Sequence, residues 1–156
     1  MQMNVVAVGT RMPAWADTAV EAYCRRVAAR WSLRVVGVRA PTRANTGDAE
    51  RCRRIEAERI RAAIGPGSAV VALDERGQPW STQELADQLE RLREQHRSAA
   101  FVIGGADGLD PDWLAAQPQR WSLSRLTLPH ALARVVVAEQ LYRAWSICTN
   151  HPYHRE

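Results

Sequence analysis

The chain closes on Asn150-His-Pro-Tyr-His-Arg-Glu156. Within it, Tyr153, His154 and Arg155 place side by side a ring that stacks, an imidazole that exchanges hydrogen bonds or protons, and a guanidinium that pairs with phosphate. That set suits an unstacked RNA base; a frayed terminus is the competing account. Upstream, Gly104-Gly105 directly follows the apolar run at residues 99–103. In open parallel sheets ligands sit outside the carboxyl ends of strands, where glycine lets the backbone come close, although a tight turn calls for the same residues. Leu73 ends another apolar run, and the alternation that begins at Trp121 fails at Arg125. Irregular backbone at residues 123–128 leaves amide and carbonyl groups that need partners. An adenine edge supplies them, with leucines covering its ring; so does water. These residues outline a nucleotide-shaped pocket beside an RNA contact.

Other chemistries fit less well. Cys148, His151 and His154 are spaced three apart, but structural zinc takes four ligands and Pro152 interrupts the helical geometry that would align them. No metal is expected. Ser124 and His130 are too loosely related for a hydrolase, and no nucleophile elbow is present. The glycine spacing is not that of a dinucleotide fold. All 21 basic residues are arginine, which removes lysine Schiff-base chemistry and the lysine-dependent phosphate loop. Arginine still suits phosphate, because its planar fork holds two oxygens. The formal charge of +4 permits an RNA partner without requiring one.

Positioning these groups falls to alternating elements. Strands are expected at residues 3–8, 33–38, 69–73, 99–103 and 121–123. Helices are expected at residues 14–29, 49–64, after Ser81, after Asp110-Pro111, and from Pro129 to about Cys148. Val20, Tyr23, Cys24, Val27 and Trp31 fall at helical spacing, and Ser81 with Glu84 forms a capping box. Residues 39–47, with Pro41, Asn45 and Gly47, are expected as a loop. Alternation of strand and helix predicts an α/β fold with a parallel sheet of five strands and helices on both faces. With 156 residues, 46% apolar and 24% charged, one domain over residues 1–156 is the expectation. No apolar run approaches the roughly 20 residues of a spanning helix, and the three cysteines are odd in number and far apart. A cytoplasmic protein with no membrane partner follows. The last helix is apolar around most of its circumference, which predicts a subunit interface rather than a solvated surface.

The pieces Val6-Ala-Val-Gly-Thr-Arg-Met-Pro13, Ile103-Gly-Gly105 with Gly108-Leu109, Trp121-Ser-Leu-Ser124 with Leu126-Thr-Leu-Pro-His130, and Leu141-Tyr-Arg-Ala-Trp-Ser-Ile147 with the closing seven residues resemble the ribosomal large-subunit pseudouridine N3-methyltransferase H family. This is a small branch of the SPOUT class, and the resemblance runs nearly the whole length in order. It implies a C-terminal trefoil knot, a homodimer, and S-adenosylmethionine as methyl donor. It further implies methylation of N3 of a pseudouridine in 23S rRNA (helix 69) on the assembled 70S ribosome, with no DNA partner. By motif, the donor contacts fall on Leu73, Gly104, Leu123, Ser124, Arg125, Leu126, Thr127 and Leu128; Arg125 matches most loosely. For transfer, Arg155 and Arg143 are the candidates for charge stabilisation, His154 for the base and Tyr153 for stacking, offered across the dimer. The alternatives are a non-catalytic ribosome-binding factor of this fold and a SPOUT enzyme acting on tRNA.

Overall fold

In β1 (Gln2–Val8), Met3, Val5 and Ala7 turn to one side and Val6 and Val8 to the other, and all five are buried. A strand covered on both faces belongs inside a parallel sheet. The computed structural model, which describes residues 1–28, 30–42 and 48–155, continues with α1 (Ala14–Arg26), β2 (Ser32–Val38), α2 (Ala49–Ala63) and β3 (Ala69–Pro79). Then come α3 (Thr82–Gln95), β4 (Ser98–Ile103), α4 (Pro111–Ala115), β5 (Gln119–Ser122), α5 (His130–Cys148) and a 3-10 turn at Pro152–Arg155. The strands run parallel in the order β2-β1-β4-β3-β5, which is the α/β sheet expected.

Two cores follow from the alternation. Met3, Val5, Val71 and Phe101 meet Leu85, Leu89, Val137 and Leu141 of α3 and α5, with Tyr23 and Cys24 of α1 packed alongside. On the opposite face Val6, Val8, Ala72 and Val102 meet Ala57 and Ile60 of α2 and Trp113 of α4. The helix starts are fixed locally. Ser81 and Glu84 cap α3 reciprocally, and the Asp110 carboxylate accepts from the Trp113 amide 2.9 Å away at the head of α4.

Three expectations change. The first helix stops at Arg26 because Val27 is extended, so Trp31 reaches the core from the approach to β2 instead of from a helical face. Ala29 and most of the loop expected at residues 39–47 lie outside the described residues. β3 is longer than its apolar run, because after Leu73 the chain bulges and rejoins β5 at Gln78. The largest change concerns α5. It lies on the sheet between α1 and α3, with the terminal 3-10 turn folded back against it. Its apolar circumference is thus covered mostly within one chain, and does not by itself mark a subunit interface. Leu132, 38% exposed, is what remains open among its large residues.

Candidate active site

The strand ends open into a cleft of about 650 Å³, within the roughly 300–1,000 Å³ range of small-molecule sites. Its floor is where β3 breaks its pairing after Leu73, where β4 runs out at Ile103, and the irregular run after β5. Seven of the eight expected donor contacts line it: Leu73, Gly104, Leu123, Ser124, Leu126, Thr127 and Leu128. Arg125 is exposed and absent from the lining, which limits it to whatever its backbone position contributes. The run is shaped by its own serines. Ser122 Oγ donates to the Ser124 carbonyl (3.2 Å), and Ser124 Oγ accepts from the Leu126 amide (3.0 Å). Leu126 is thereby held out, 73% exposed.

The double glycine serves its own turn first. A Cβ on Gly104 would lie 2.8 Å from the Gly108 carbonyl carbon and the Leu109 nitrogen; one on Gly105 would lie 2.5 Å from the buried Glu56 carboxylate. The Gly108 amide donates to the Gly105 carbonyl at 3.0 Å, closing the turn. Closure of the turn on its own main chain is therefore what demands glycine at Gly104, while Gly105 faces the movable end of the Glu56 side chain.

Sequence reasoning missed two cleft residues, Arg53 of α2 and His130 at the head of α5. Arg53 Nη1 reaches the Asp107 carbonyl at 3.5 Å, while its Nε is buried with no partner; His130 Nδ1 is likewise buried without one. Nothing in the local sequence marks Arg53, and His130 stands out only as the end of a motif, since helix and strand ends distant in the chain bring them together. Unpaired buried nitrogens need partners. An adenosyl sulfonium compound, with a flat ring for the leucines and a zwitterionic amino-acid end, fits such a lining. Ser124 and His130 do share the cleft, but the serine oxygen is committed to its own turn.

The tail is elsewhere in the chain. Tyr153 is buried, its hydroxyl donating to Glu139 Oε1 (3.1 Å) and its ring 4.5 Å from that of Tyr142. The guanidinium carbons of Arg26 and Arg143 stand 4.9 and 4.7 Å from its ring centroid. Burial, followed by the contacts with Tyr23 and Glu139, pushes the hydroxyl above its ordinary pKa. Tyr153 therefore anchors the tail, and its ring is already occupied rather than held ready for a base. Arg143 donates through Nε (2.8 Å) to Glu139, whose hydrogen bond raises the guanidinium pKa. His154 is half-buried, with Nδ1 unpartnered, and Arg155 is exposed. Cys148 Sγ faces the Ala86 carbonyl, and His151 packs on Tyr142 and Trp145. Among the described residues no three potential metal ligands gather, and no helix is long and apolar enough to cross a membrane. Glu139 to Arg143, which hold the tail, lie about 14–20 Å along α5 from His130 at 1.5 Å per residue. Within one chain, tail and cleft are apart.

Among solved structures, the chain is similar to "a probable methylase family protein" from Haemophilus influenzae Rd KW20. The match has a TM-score of 0.58 at 17% identity and covers 96% of this chain and 69% of that one. It is also similar to a structure described as giving insights into 2-OH methylation of C/U34 on tRNA. That match has a TM-score of 0.52 at 18% identity and covers 96% and 97% of the two chains. Such distant likeness speaks for the fold alone. The family model described as "Predicted SPOUT methyltransferase" matches residues 1–154. With the parallel sheet, the cleft at its strand ends and that match over nearly every residue, the chain belongs to the SPOUT methyltransferase family, whose members use S-adenosylmethionine.

Proposed function

We propose that this chain, as one domain over residues 1–156, methylates N3 of a pseudouridine in helix 69 of 23S rRNA on the assembled 70S ribosome. It works in the cytoplasm as a homodimer whose C-terminal segment is threaded as a trefoil knot. The observation that carries the proposal is the separation just described: a donor-sized cleft lies at one end of α5 and a Tyr-His-Arg tail is anchored at the other. A twofold axis that sets the tail of one subunit over the cleft of its partner completes a site neither chain holds alone.

S-adenosylmethionine supplies an electrophilic methyl group when bound. The leucines and the main chain at residues 123–128 would hold its adenine, the glycine turn its central part. The N3 proton of a pseudouridine sits between two carbonyls and is acidic enough for one modest base, or water, to take it. Positioning and charge stabilisation then do most of the work. His154 and Arg155 are the tail residues free to face the substrate. Tyr153 positions them through Glu139, and Arg143 braces that carboxylate.

Changing Arg155 to Ala should lower the methylation rate on 70S ribosomes while leaving affinity for S-adenosylhomocysteine near that of the wild type; parallel loss of both would contradict its role. The substrate itself is tested by mass mapping of rRNA and tRNA from a deletion strain. Loss of one methyl from a helix 69 pseudouridine supports the proposal. A methyl lost from tRNA assigns the chain to the tRNA branch, and no loss anywhere favours a non-catalytic ribosome-binding factor.

A further inference from the structure

The cleft is chemically two-sided. In the sheet order, β3 and β5 lie on one side of β4; Leu73 comes from β3, and Leu123 directly follows β5, at the start of the run that carries Leu126 and Leu128 on to α5. On the other side lie β1 and, over it, α2, which contributes Arg53; His130 heads α5, which packs on β1. His130 also lines a neighbouring hollow of about 130 Å³ with Val8 and Gly9 at the end of β1 and with Glu56 of α2. Arg53 and His130 therefore share the β1 side of the cleft, around the turn that carries Asp107.

Arg53 is half-buried, and the hydrogen bond it makes is the long one to the Asp107 carbonyl, with Nε buried and unpartnered. Among the described residues it forms no ion pair with a carboxylate. Its neighbour Arg54, by contrast, faces solvent and pairs with Glu50 at 3.4 Å. A half-desolvated guanidinium with no counter-ion at the rim of a ligand cleft calls for an anion, and its planar fork matches a carboxylate best. Of the three acidic lining residues, Asp74 and Glu75 follow Leu73 on β3, across β4 from α2, and Asp107 meets Arg53 through its main-chain carbonyl and not its carboxylate.

We infer that Arg53, with His130 beside it, forms the subsite for the amino-acid carboxylate of the methyl donor, and so fixes which end of the donor points toward β1. This deepens the proposed donor site and rests on it. Adenine then lies toward the leucine side, and the donor spans the strand ends across the glycine turn. The residue is specific to this side of the cleft and takes no part in proton transfer; it holds and orients.

Two probes separate the ends of the donor. S-adenosylhomocysteine carries the amino acid, and 5′-methylthioadenosine is the same nucleoside thioether without it. Isothermal titration of the full-length protein should show Arg53→Ala weakening S-adenosylhomocysteine about tenfold or more, as loss of a charge-assisted pair does, with 5′-methylthioadenosine unchanged. Arg53→Lys should recover part of the loss, and His130→Ala should give a smaller loss with the same selectivity. Equal weakening of both probes would make Arg53 a structural residue and overturn the inference. So would unaltered S-adenosylhomocysteine affinity together with weaker ribosome association, which would give the guanidinium to an RNA phosphate. If the wild-type protein binds neither probe, the donor site itself is wrong, and the subsite falls with it.

Discussion

At the scale of single residues, the turn after β4 closes too tightly at Gly104 to admit a side chain. A Cβ there would stand 2.8 Å from the Gly108 carbonyl carbon and the Leu109 nitrogen, main-chain atoms that cannot swing aside, whereas at Gly105 it would meet the end of the Glu56 side chain, which can. Gly104→Ala should therefore shift the turn, costing about 1–3 kcal/mol as overpacking does. Urea denaturation measures that cost, and titration with S-adenosylhomocysteine should show weaker binding. The cysteines give a second prediction. Burial, the larger cause for each, raises Cys24 to about 11 and Cys148 to about 12, from an ordinary 9.0. Since the thiolate is the reactive form, both should alkylate much more slowly at pH 8 in the folded protein than after denaturation. The sign for stability follows. Each thiol supports the fold below pH 9 and withdraws that support as pH rises from 9 toward 11 or 12.

At the scale of elements, α5 is held to the sheet by more than apolar contact. Arg134 is buried in the middle of the first turns, and its Nη2 donates to the carbonyls of Val8 (2.8 Å) and Gly9 (2.7 Å) where β1 ends. Burial lowers its pKa, and Asp17 of α1 partly opposes that. Arg134→Met keeps the length but strands two carbonyls, and should destabilise the protein by about 2–3 kcal/mol in urea. Most elements were legible beforehand, because strand alternation, the Ser81/Glu84 box and Asp110-Pro111 are local signals. The end of α1 was not, since Val27 leaves the helix to let Trp31 pack in the core. Nor was the covering of α5, because periodicity reports an apolar face without saying what covers it.

At the scale of the whole molecule, the tail and the cleft do not meet in one chain, and the proposed function requires them to meet across a dimer. A mass of twice 17.5 kDa in sedimentation is the first expectation of a shared site. Mixing decides it further. A variant impaired in the cleft (Gly104→Ala) and one impaired in the tail (Arg155→Ala), each weak alone, should regain about a quarter of wild-type activity after subunit exchange, since half the dimers then hold one intact site. If exchange is shown to occur and activity does not return, cleft and tail of a single chain must act together.

By itself the sequence determined the alternation of strands and helices, the family, and the short runs that line the donor cleft. Those are properties of contiguous residues, where spacing is the evidence. Only the tertiary structure decided that Arg53 and His130 share that cleft, that Glu56 packs against Gly105, and that Tyr153 is an anchor fastened to Glu139. Each of these joins elements distant along the chain, and which of them become neighbours is settled by the order of strands in the sheet and by what each helix must bury.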